Sequence, residues 1–218
     1  MVEVTQLVEY QIVVLTVASS SLVFYPNKKI MIINFVSGNP GKVREISGII
    51  KNSISNIEIR QLDIDLPEYQ GDSEFIVIKK LKEARKNAGN IEGAILVEDS
   101  SLLLNAYKGL PGPYIKYFLK AVGPEGIYKM VTPYEDHTAT AQCIMGLQLP
   151  NDEPRLFTGK TEGEIVKPRG SNGFGYDTCF QINSINKTYG EISEQEKNEI
   201  SHRMKATKLM IEFLKKNL

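Results

Sequence analysis

Short apolar runs alternate with longer segments of helical spacing from residue 30 onward, and this alternation is the strongest constraint on the fold. The runs KKIMIINFV, IEIRQLDIDL, GAILVEDSSLLL, TATAQCIMGLQL and RLFTGKTEGEIV are typical of strands. Helical spacing is found in KVREISGII, SEFIVIKKLKEARKNAG, GPYIKYFLKAVG and EQEKNEISHRMKATKLMIEFLKK. Strands separated by helices, followed by a strand-rich second half, predict an α/β fold with a mixed sheet.

Composition excludes several classes of protein. The 26 Lys and Arg residues balance 26 Asp and Glu residues, so the formal net charge is zero and a nucleic-acid polymer is not the expected partner. Cys143 and Cys179 are the only cysteines, and His137 and His202 the only histidines, so neither a disulfide framework nor a histidine zinc centre is indicated. A reducing cytoplasm is the expected location.

The first 29 residues differ from the rest of the chain. They contain the apolar stretch QIVVLTVASSSLVFY, which is short and rich in serine for a membrane span and has no basic residue before it. We therefore expect no membrane association. Residues 1–29 are predicted to be a non-essential extension, and residues 30–218 to be the functional domain.

The turn SGNPGK, residues 37–42, links the first strand to the first helix. A P-loop would require glycine at position 36 and Ser or Thr at position 43, but Val36 and Val43 stand there. A strand that leads through a Gly/Asn turn into a helix still presents free backbone N–H groups to an anion. The turn is therefore either a phosphate-binding turn of another kind or an ordinary strand-to-helix connection.

Four further stretches carry candidate chemistry. DLPEYQG places Glu68 on a loop after a strand, and LVEDSSL places Glu98 and Asp99 at the end of an apolar strand, where active sites of α/β proteins tend to lie. GLPGPYIK forms a tight turn before Lys116, and GFGYD combines two glycines, two aromatics and an acid at residues 173–177. Taken singly, each is also explained as a solvated acid, a plain turn or a surface loop.

Taken together and in order, SGNPGK, DLPEYQG, VEDSSL, NAYKGLPGPYIKYFL, GFGYD and EKNEISHRMKA resemble the signatures of the inosine triphosphate pyrophosphatase family, most closely its eukaryotic branch. The resemblance implies a two-lobed single α/β domain, with a central mixed, twisted sheet flanked by helices and an active-site cleft between the lobes. It also implies a homodimer that hydrolyses ITP, dITP and XTP to the monophosphate and pyrophosphate. The expected cofactor is Mg²⁺, with Mn²⁺ as an alternative.

The same resemblance assigns the metal and catalytic residues. Glu68 and Asp99 are the predicted catalytic carboxylates and Mg²⁺ ligands, and Asp99 could also orient or deprotonate the attacking water. Such a pair suits Mg²⁺, which prefers oxygen ligands and takes only one or two protein carboxylates. Glu45, one turn into the first helix, is interpreted either as assisting the metal through water or as a solvated acid.

Substrate binding is assigned, again by resemblance, to the phosphate turn SGNPGK, to a ring of lysines, and to the base-recognition motifs GFGYD and ISHR. In the first two groups Ser37, Asn39, Lys42, Lys80, Lys116 and Lys197 meet the triphosphate tail. His202 and Arg203 recognise the 6-oxo base, which suits an arginine because it only donates hydrogen bonds; the alternative is that Arg203 is a structural salt-bridge partner. The predicted substrate-binding residues are Ser37, Gly38, Asn39, Lys42, Lys80, Asp99, Ser100, Lys116, Phe174, Gly175, Tyr176, Asp177, Lys197, His202 and Arg203.

Three positions depart from the family pattern, namely Gly41, Ser101 and Thr178, and none of them removes a proposed catalytic group. Three alternatives stay open from the sequence: a related pyrophosphatase for other modified nucleotides, a nucleotide-binding sensor without turnover, and a nucleic-acid-binding protein. A sensor would be expected to lack the carboxylates Glu68, Glu98 and Asp99, and a nucleic-acid binder to show an excess of positive charge.

Overall fold

A mixed β-sheet forms the centre of the computed structural model, which describes residues 30–217. The predicted extension, residues 1–29, lies outside the described residues. Within them the sheet has eight strands: β1 Met31–Val36, β2 Ile57–Leu62, β3 Ala94–Leu104, β4 Pro111–Gly112, β5 Thr138–Gln148, β6 Arg155–Ile165, β7 Phe180–Ile182 and β8 Lys187–Thr188. The helices are α1 Pro40–Lys51, α2 Ser73–Ala88, α3 Ile115–Val131, α4 Glu194–Ile200 and α5 His202–Asn217.

The strand order confirms the predicted mixed sheet. The order is β2-β1-β3-β5-β6-β7-β8, with β4 paired to β3 off this path. Strand β1 runs parallel to β2 and β3, as expected where α1 and α2 provide the crossover connections. All later pairs are antiparallel, and the long strands β3, β5 and β6 extend through both halves of the molecule.

Apolar side chains pack in separate cores along these long strands. In the first half, α1 and α5 cover one face of the sheet with residues such as Ile46 and Met210, and α2 covers the other face with Val77 and Leu81. In the second half, α3 packs against the far ends of β3 and β5 around Ile127. The predicted fold class, an α/β sheet flanked by helices, is therefore confirmed.

Three predicted elements have different limits in the structure. Strand β3 does not end at Glu98 and Asp99 but continues through SSLLL to Leu104, because β5 pairs with it over this whole length. The predicted short helix at GPYIKYFLKAVG extends to Val131, with a non-helical residue at Gly123 (φ 65°) before Pro124. A proline lacks the backbone N–H and cannot follow a helical residue without strain, which explains the kink there.

The predicted long C-terminal helix is two helices. Ser201 lies between α4 and α5 in an extended conformation (φ −70°, ψ 159°), and its hydroxyl accepts a hydrogen bond from the Met204 N–H at 3.1 Å. Serine in this role caps the start of a helix, which satisfies one of the free N–H groups of the first turn. The break therefore begins a new helix at His202 and Arg203.

One edge of β3 is left unpaired in its middle. On that edge β1 pairs with residues 94–96 and β4 pairs with Leu102 and Leu103, so within residues 30–217 no strand pairs with residues 97–101 there. The other edge of the same segment is fully paired with β5. Glu98 and Asp99 thus lie on a firmly held strand that is accessible from one side.

No helix in the described part of the chain combines the length and the apolar character needed to cross a membrane.

Gly159 on β6 allows α5 to lie against the sheet. A Cβ added there would be 2.1 Å from the His202 carbonyl oxygen and 2.4 Å from the Ala206 nitrogen. We predict that Gly159→Ala lowers the free energy of unfolding by about 1–3 kcal/mol, since backbone rather than a flexible side chain must move. Urea denaturation of the variant and wild type measures this difference.

Gly48→Ala in α1 is the matched control. A Cβ at Gly48 meets no atom within 4 Å, so alanine should raise the free energy of unfolding by about 0.5–1 kcal/mol through its better helix propensity. Equal effects of the two substitutions would contradict the packing role of Gly159.

Candidate active site

A cleft of about 770 Å³ opens at the unpaired segment of β3. Its walls come from the SGNPGK turn, the loop after β2, helix α2, the start of α3, the GFGYD loop and the start of α5. Every predicted site residue except Lys197 lies in this wall. Motifs from both ends of the described chain, from Ser37 to Arg203, therefore meet in one place.

The SGNPGK turn is held in shape by its own side chains. Asn39 caps α1, and its Oδ1 accepts hydrogen bonds from the backbone N–H groups of Gly41 at 2.9 Å and Lys42 at 3.3 Å. The Asn39 N–H donates in turn to the hydroxyl of Ser37 at 3.2 Å. The turn consequently directs the Lys42 side chain into the cleft, where its Nζ lies 2.7 Å from Glu98 Oε2.

The two carboxylates predicted to bind metal converge on one cation. Lys80 Nζ lies 2.6 Å from Asp99 Oδ1 and 3.7 Å from Glu68 Oε2, and Lys116 Nζ lies 2.5 Å from Glu68 Oε1. Burial raises the pKa of Asp99 and outweighs the attraction of Lys80 and Lys42. Burial also opposes the charged form of Lys80 and would lower its pKa. Asp99 and Glu68 outweigh burial, so the pKa of Lys80 is raised.

This pair of carboxylates fits a magnesium ion. Asp99 Oδ2 is buried and has no hydrogen-bond partner among the described residues, so one carboxylate oxygen is free to act as a ligand. The described residues contain no cluster of three or more His, Cys, Asp or Glu side chains suited to a metal. Because Mg²⁺ normally completes its coordination with water and phosphate oxygens, two carboxylates are sufficient.

Glu98 points to the opposite face of the sheet from Asp99, as successive residues of a strand do. It is buried beside Lys42 and Arg203, and the Ser100 hydroxyl donates to its Oε1 at 2.5 Å. Burial alone would raise the pKa of Glu98, but the two cations hold it well below its usual range. Glu98 is therefore a permanently charged part of the site, a role that sequence analysis did not assign.

Glu45 joins the cations of Lys197 and Arg203. Its Oε1 accepts from Lys197 Nζ at 2.9 Å, and its Oε2 accepts from Arg203 Nη1. Glu45 is only 4% exposed, so the interpretation of it as a solvated acid is wrong. Both of its oxygens are occupied by cations rather than directed to a metal-bound water.

Lys197 is separated from the other predicted tail-binding lysines. Its ammonium group is 3% exposed and is bound to Glu45 at 2.9 Å and to Asp177 Oδ2 at 2.7 Å. The structure therefore brings Lys42, Lys80 and Lys116 together in the cleft but does not bring Lys197 to them. The cause is a pair of buried carboxylates that hold its charge over the Phe174 ring, whose centroid is 4.7 Å away.

The GFGYD loop closes on its own acid. Asp177 Oδ2 accepts from the Phe174 N–H at 2.7 Å, and burial raises the pKa of this carboxyl despite the neighbouring Lys197. Gly173 has a φ of 77°, and a Cβ there would lie 2.1 Å from Asp177 Oδ2. The glycine thus permits the tight turn that places Phe174 and Tyr176 in the cleft wall.

The first turn of α5 brings His202 and Arg203 to the base of the cleft. The Tyr176 hydroxyl lies 3.2 Å from His202 Nε2, and burial together with the charge of Arg203 lowers the pKa of His202 well below its usual value, so the ring is neutral. Arg203 is 2% exposed, and its Nη2 donates to the Ser100 hydroxyl at 2.9 Å. Its Nε is buried without a partner among the described residues.

Known proteins share this fold and align with most of this chain. A structure of the Staphylococcus aureus Ham1 protein has 26% sequence identity and a TM-score of 0.69, covering 86% of this chain and 100% of its own. For a HAM1 protein from Coxiella burnetii the identity is 26% and the TM-score 0.74, with 85% and 99% covered. A protein described as a nucleoside-triphosphatase / dITP/XTP pyrophosphatase from Mycobacterium abscessus has 27% identity and a TM-score of 0.63, with 84% and 100% covered.

The sequence profile of the Ham1 family matches residues 33–213, which includes every residue of the cleft described above. This match spans most of the chain, and the solved structures agree with it in fold. The chain therefore belongs to the Ham1 family.

Proposed function

We propose that this protein hydrolyses non-standard purine nucleoside triphosphates, namely ITP, dITP and XTP, to the monophosphate and pyrophosphate. The observation that carries the proposal is the convergence of Glu68 and Asp99 on one cation position, beside Lys42, Lys80 and Lys116 in one cleft. Membership of the Ham1 family and the described activity of the similar M. abscessus protein support it. The carboxylates whose loss would indicate a sensor without turnover are all present.

Enzymes of this family generally need a divalent metal ion. In this chain Glu68 and Asp99 would hold Mg²⁺, which supplies positive charge to the triphosphate and to the departing pyrophosphate. The three cleft lysines add further positive charge, whereas the N–H groups of Gly41, Lys42 and Val43 in the first turn of α1 already donate to Asn39. Each lysine that contacts a phosphate does so in competition with its carboxylate partner.

Asp99 is the residue that we propose to orient the attacking water and accept its proton. Burial raises its pKa, which makes it a stronger base than an ordinary aspartate, and Lys80 Nζ lies 2.6 Å from its Oδ1. Strand β3 holds it rigidly through its pairing with β5. Attack at the α-phosphorus then releases pyrophosphate, which the lysines stabilise as it leaves.

Base recognition is proposed for Arg203, His202 and the GFGYD loop. The unpartnered Nε–H of Arg203 suits a 6-oxo group and would find no acceptor on a 6-amino group. The Phe174 ring, 5.5 Å from the Arg203 guanidinium, offers a stacking surface for the purine. Because Arg203 also neutralises Glu45 and Glu98, it serves both as a recognition residue and as the structural partner that was the alternative interpretation.

Several further features are part of the same proposal. Residues 1–29 are proposed to be dispensable and residues 30–218 to suffice for activity. The active form is proposed to be a cytoplasmic homodimer, and both cysteines of the described chain are free and buried, in agreement with a reducing compartment. The closer resemblance to the eukaryotic branch rests on the sequence motifs, since the three solved structures named above are bacterial.

The function is tested by pyrophosphate release from a panel of nucleoside triphosphates with and without Mg²⁺. We predict that ITP, dITP and XTP are cleaved at least about tenfold faster than ATP, because an unpaired buried donor costs roughly 1–3 kcal/mol. Removal of the metal with a chelator should abolish release. Binding without release would indicate a sensor, and preference for another modified base would indicate the related pyrophosphatase.

Asp99→Asn should lower the rate of ITP hydrolysis by roughly 10²–10⁴-fold while the fold is retained, since the amide is neither a base nor a good metal ligand. Saturating Mg²⁺ should not restore it. Steady-state kinetics measure the loss, and Asp152→Asn in the turn between β5 and β6 is the matched control. A rate close to wild type for a folded Asp99→Asn protein would refute the assignment.

Lys42→Ala should weaken the binding of every triphosphate alike, because the phosphates are common to all of them. We expect KM to rise by about ten- to a hundredfold, as for loss of a charged hydrogen-bond donor. The comparison of KM across the panel checks this, with Lys51→Ala at the exposed end of α1 as control. A loss that varied strongly with the base would show that Lys42 is not a phosphate ligand.

A further inference from the structure

The Glu68 loop, residues 63–72 between β2 and α2, carries a predicted metal ligand but has little backbone support. Within residues 30–217 the backbone of residues 63–71 forms no hydrogen bond with another backbone group. Ile64 and Leu66 pack against the core beside α2. Glu68 lies beyond these anchors, in a part of the loop that is mostly exposed.

Tyr114 contacts the far end of this loop. The Gly71 N–H donates to the Tyr114 hydroxyl oxygen at 3.0 Å, and the hydroxyl lies 3.3 Å from the Gly71 carbonyl oxygen, to which it donates. Among the described residues, Tyr114 is the one hydrogen-bonding partner of the backbone of residues 63–71. The Tyr114 side chain thus satisfies both backbone polar groups of Gly71.

Tyr114 is itself fixed to the rigid part of the fold. It directly precedes α3, and its N–H donates to the Pro111 carbonyl oxygen at 3.1 Å. Pro111 belongs to β4, which pairs with Leu103 of β3. The hydroxyl therefore connects the Glu68 loop to the same strand that carries Asp99.

The contacts of the Glu68 side chain itself are ion pairs that the reaction would disturb. Glu68 is held by Lys116 at 2.5 Å and by Lys80 at 3.7 Å, and both lysines line the cleft in which the triphosphate tail is proposed to bind. When these lysines pair with phosphate instead of Glu68, they no longer hold the loop. Tyr114 carries no charge and does not line the cleft, so its contact persists.

We propose that Tyr114 is a positioning residue that keeps Glu68 opposite Asp99 through its hydroxyl bonds to Gly71. Its catalytic consequence rests on the proposed function, since it concerns the carboxylate that would hold Mg²⁺. The tether itself is a property of the free protein and can be measured without metal or nucleotide.

Tyr114→Phe removes the hydroxyl and keeps the ring. Tyr128→Phe is the matched control, because Tyr128 lies on α3 and its hydroxyl forms no hydrogen bond to a described residue. Hydrogen–deuterium exchange of the Gly71 N–H, which donates to the Tyr114 hydroxyl, should be about two- to tenfold faster in Tyr114→Phe and unchanged in the control, without metal or nucleotide. The denaturation midpoint should be the same in both, which separates loop release from general instability.

Kinetics connect the tether to Glu68. The Mg²⁺ concentration for half-maximal ITP hydrolysis should rise several-fold in Tyr114→Phe, with the rate at saturating Mg²⁺ largely retained. In a Glu68→Gln background, where the carboxylate is already lost, Tyr114→Phe should not change the Mg²⁺ requirement further.

The outcomes separate the two proposals. Unchanged exchange in Tyr114→Phe, or faster exchange with a wild-type Mg²⁺ requirement, would overturn the positioning role. If the wild-type protein cleaves no triphosphate of the panel, the proposed function is wrong, and the exchange experiment alone decides whether Tyr114 holds the loop.

Discussion

The neutralisation of buried charge is the constraint on which the site depends. A buried ion is costly unless it is paired and hydrogen-bonded, and removing one partner of a buried pair is strongly destabilising. Here positive and negative groups alternate between α1, β3, the GFGYD loop, α4 and α5. The groups in this chain of pairs are Lys42, Glu98, Arg203, Glu45, Lys197 and Asp177. Because each is held by its neighbours, the SGNPGK turn, the GFGYD loop and the first turn of α5 are fixed relative to one another.

Periodicity and motifs predicted most of the fold and most of the cleft. Period-two and helical spacing depend on local sequence, so the long strands and helices were found. The resemblance to the inosine triphosphate pyrophosphatase family assigned roles to Glu68, Asp99 and the cleft lysines. The ion pair of Glu45 with Lys197 could not be found in this way, because the two residues are 152 positions apart. Sequence analysis also missed the break at Ser201, although serine is a preferred residue at the N-cap position of a helix.

Each cleft lysine is already paired with a carboxylate, and binding a phosphate would exchange one partner for another. Lys42, Lys80 and Lys116 each lie beside a carboxylate of the cleft. A phosphate that attracts them leaves Glu98, Asp99 or Glu68 without full compensation, which offsets part of the gain from the new contact. Glu98 keeps Arg203 as a second partner, whereas Asp99 and Glu68 depend on a replacement cation. The two acids predicted to bind metal are thus the ones that gain most from it.

The unpaired segment of β3 also affects the behaviour of the protein towards other chains. Unpaired strand edges invite another polypeptide to add a strand, which leads to aggregation. Residues 97–101 have such an edge unpaired among the described strands, but β1 occupies it on one side and β4 on the other. An incoming strand could align there only by displacing one of them. The unpaired edge therefore lies at the centre of the fold, in a slot that small molecules can enter but along which an extended peptide cannot pair.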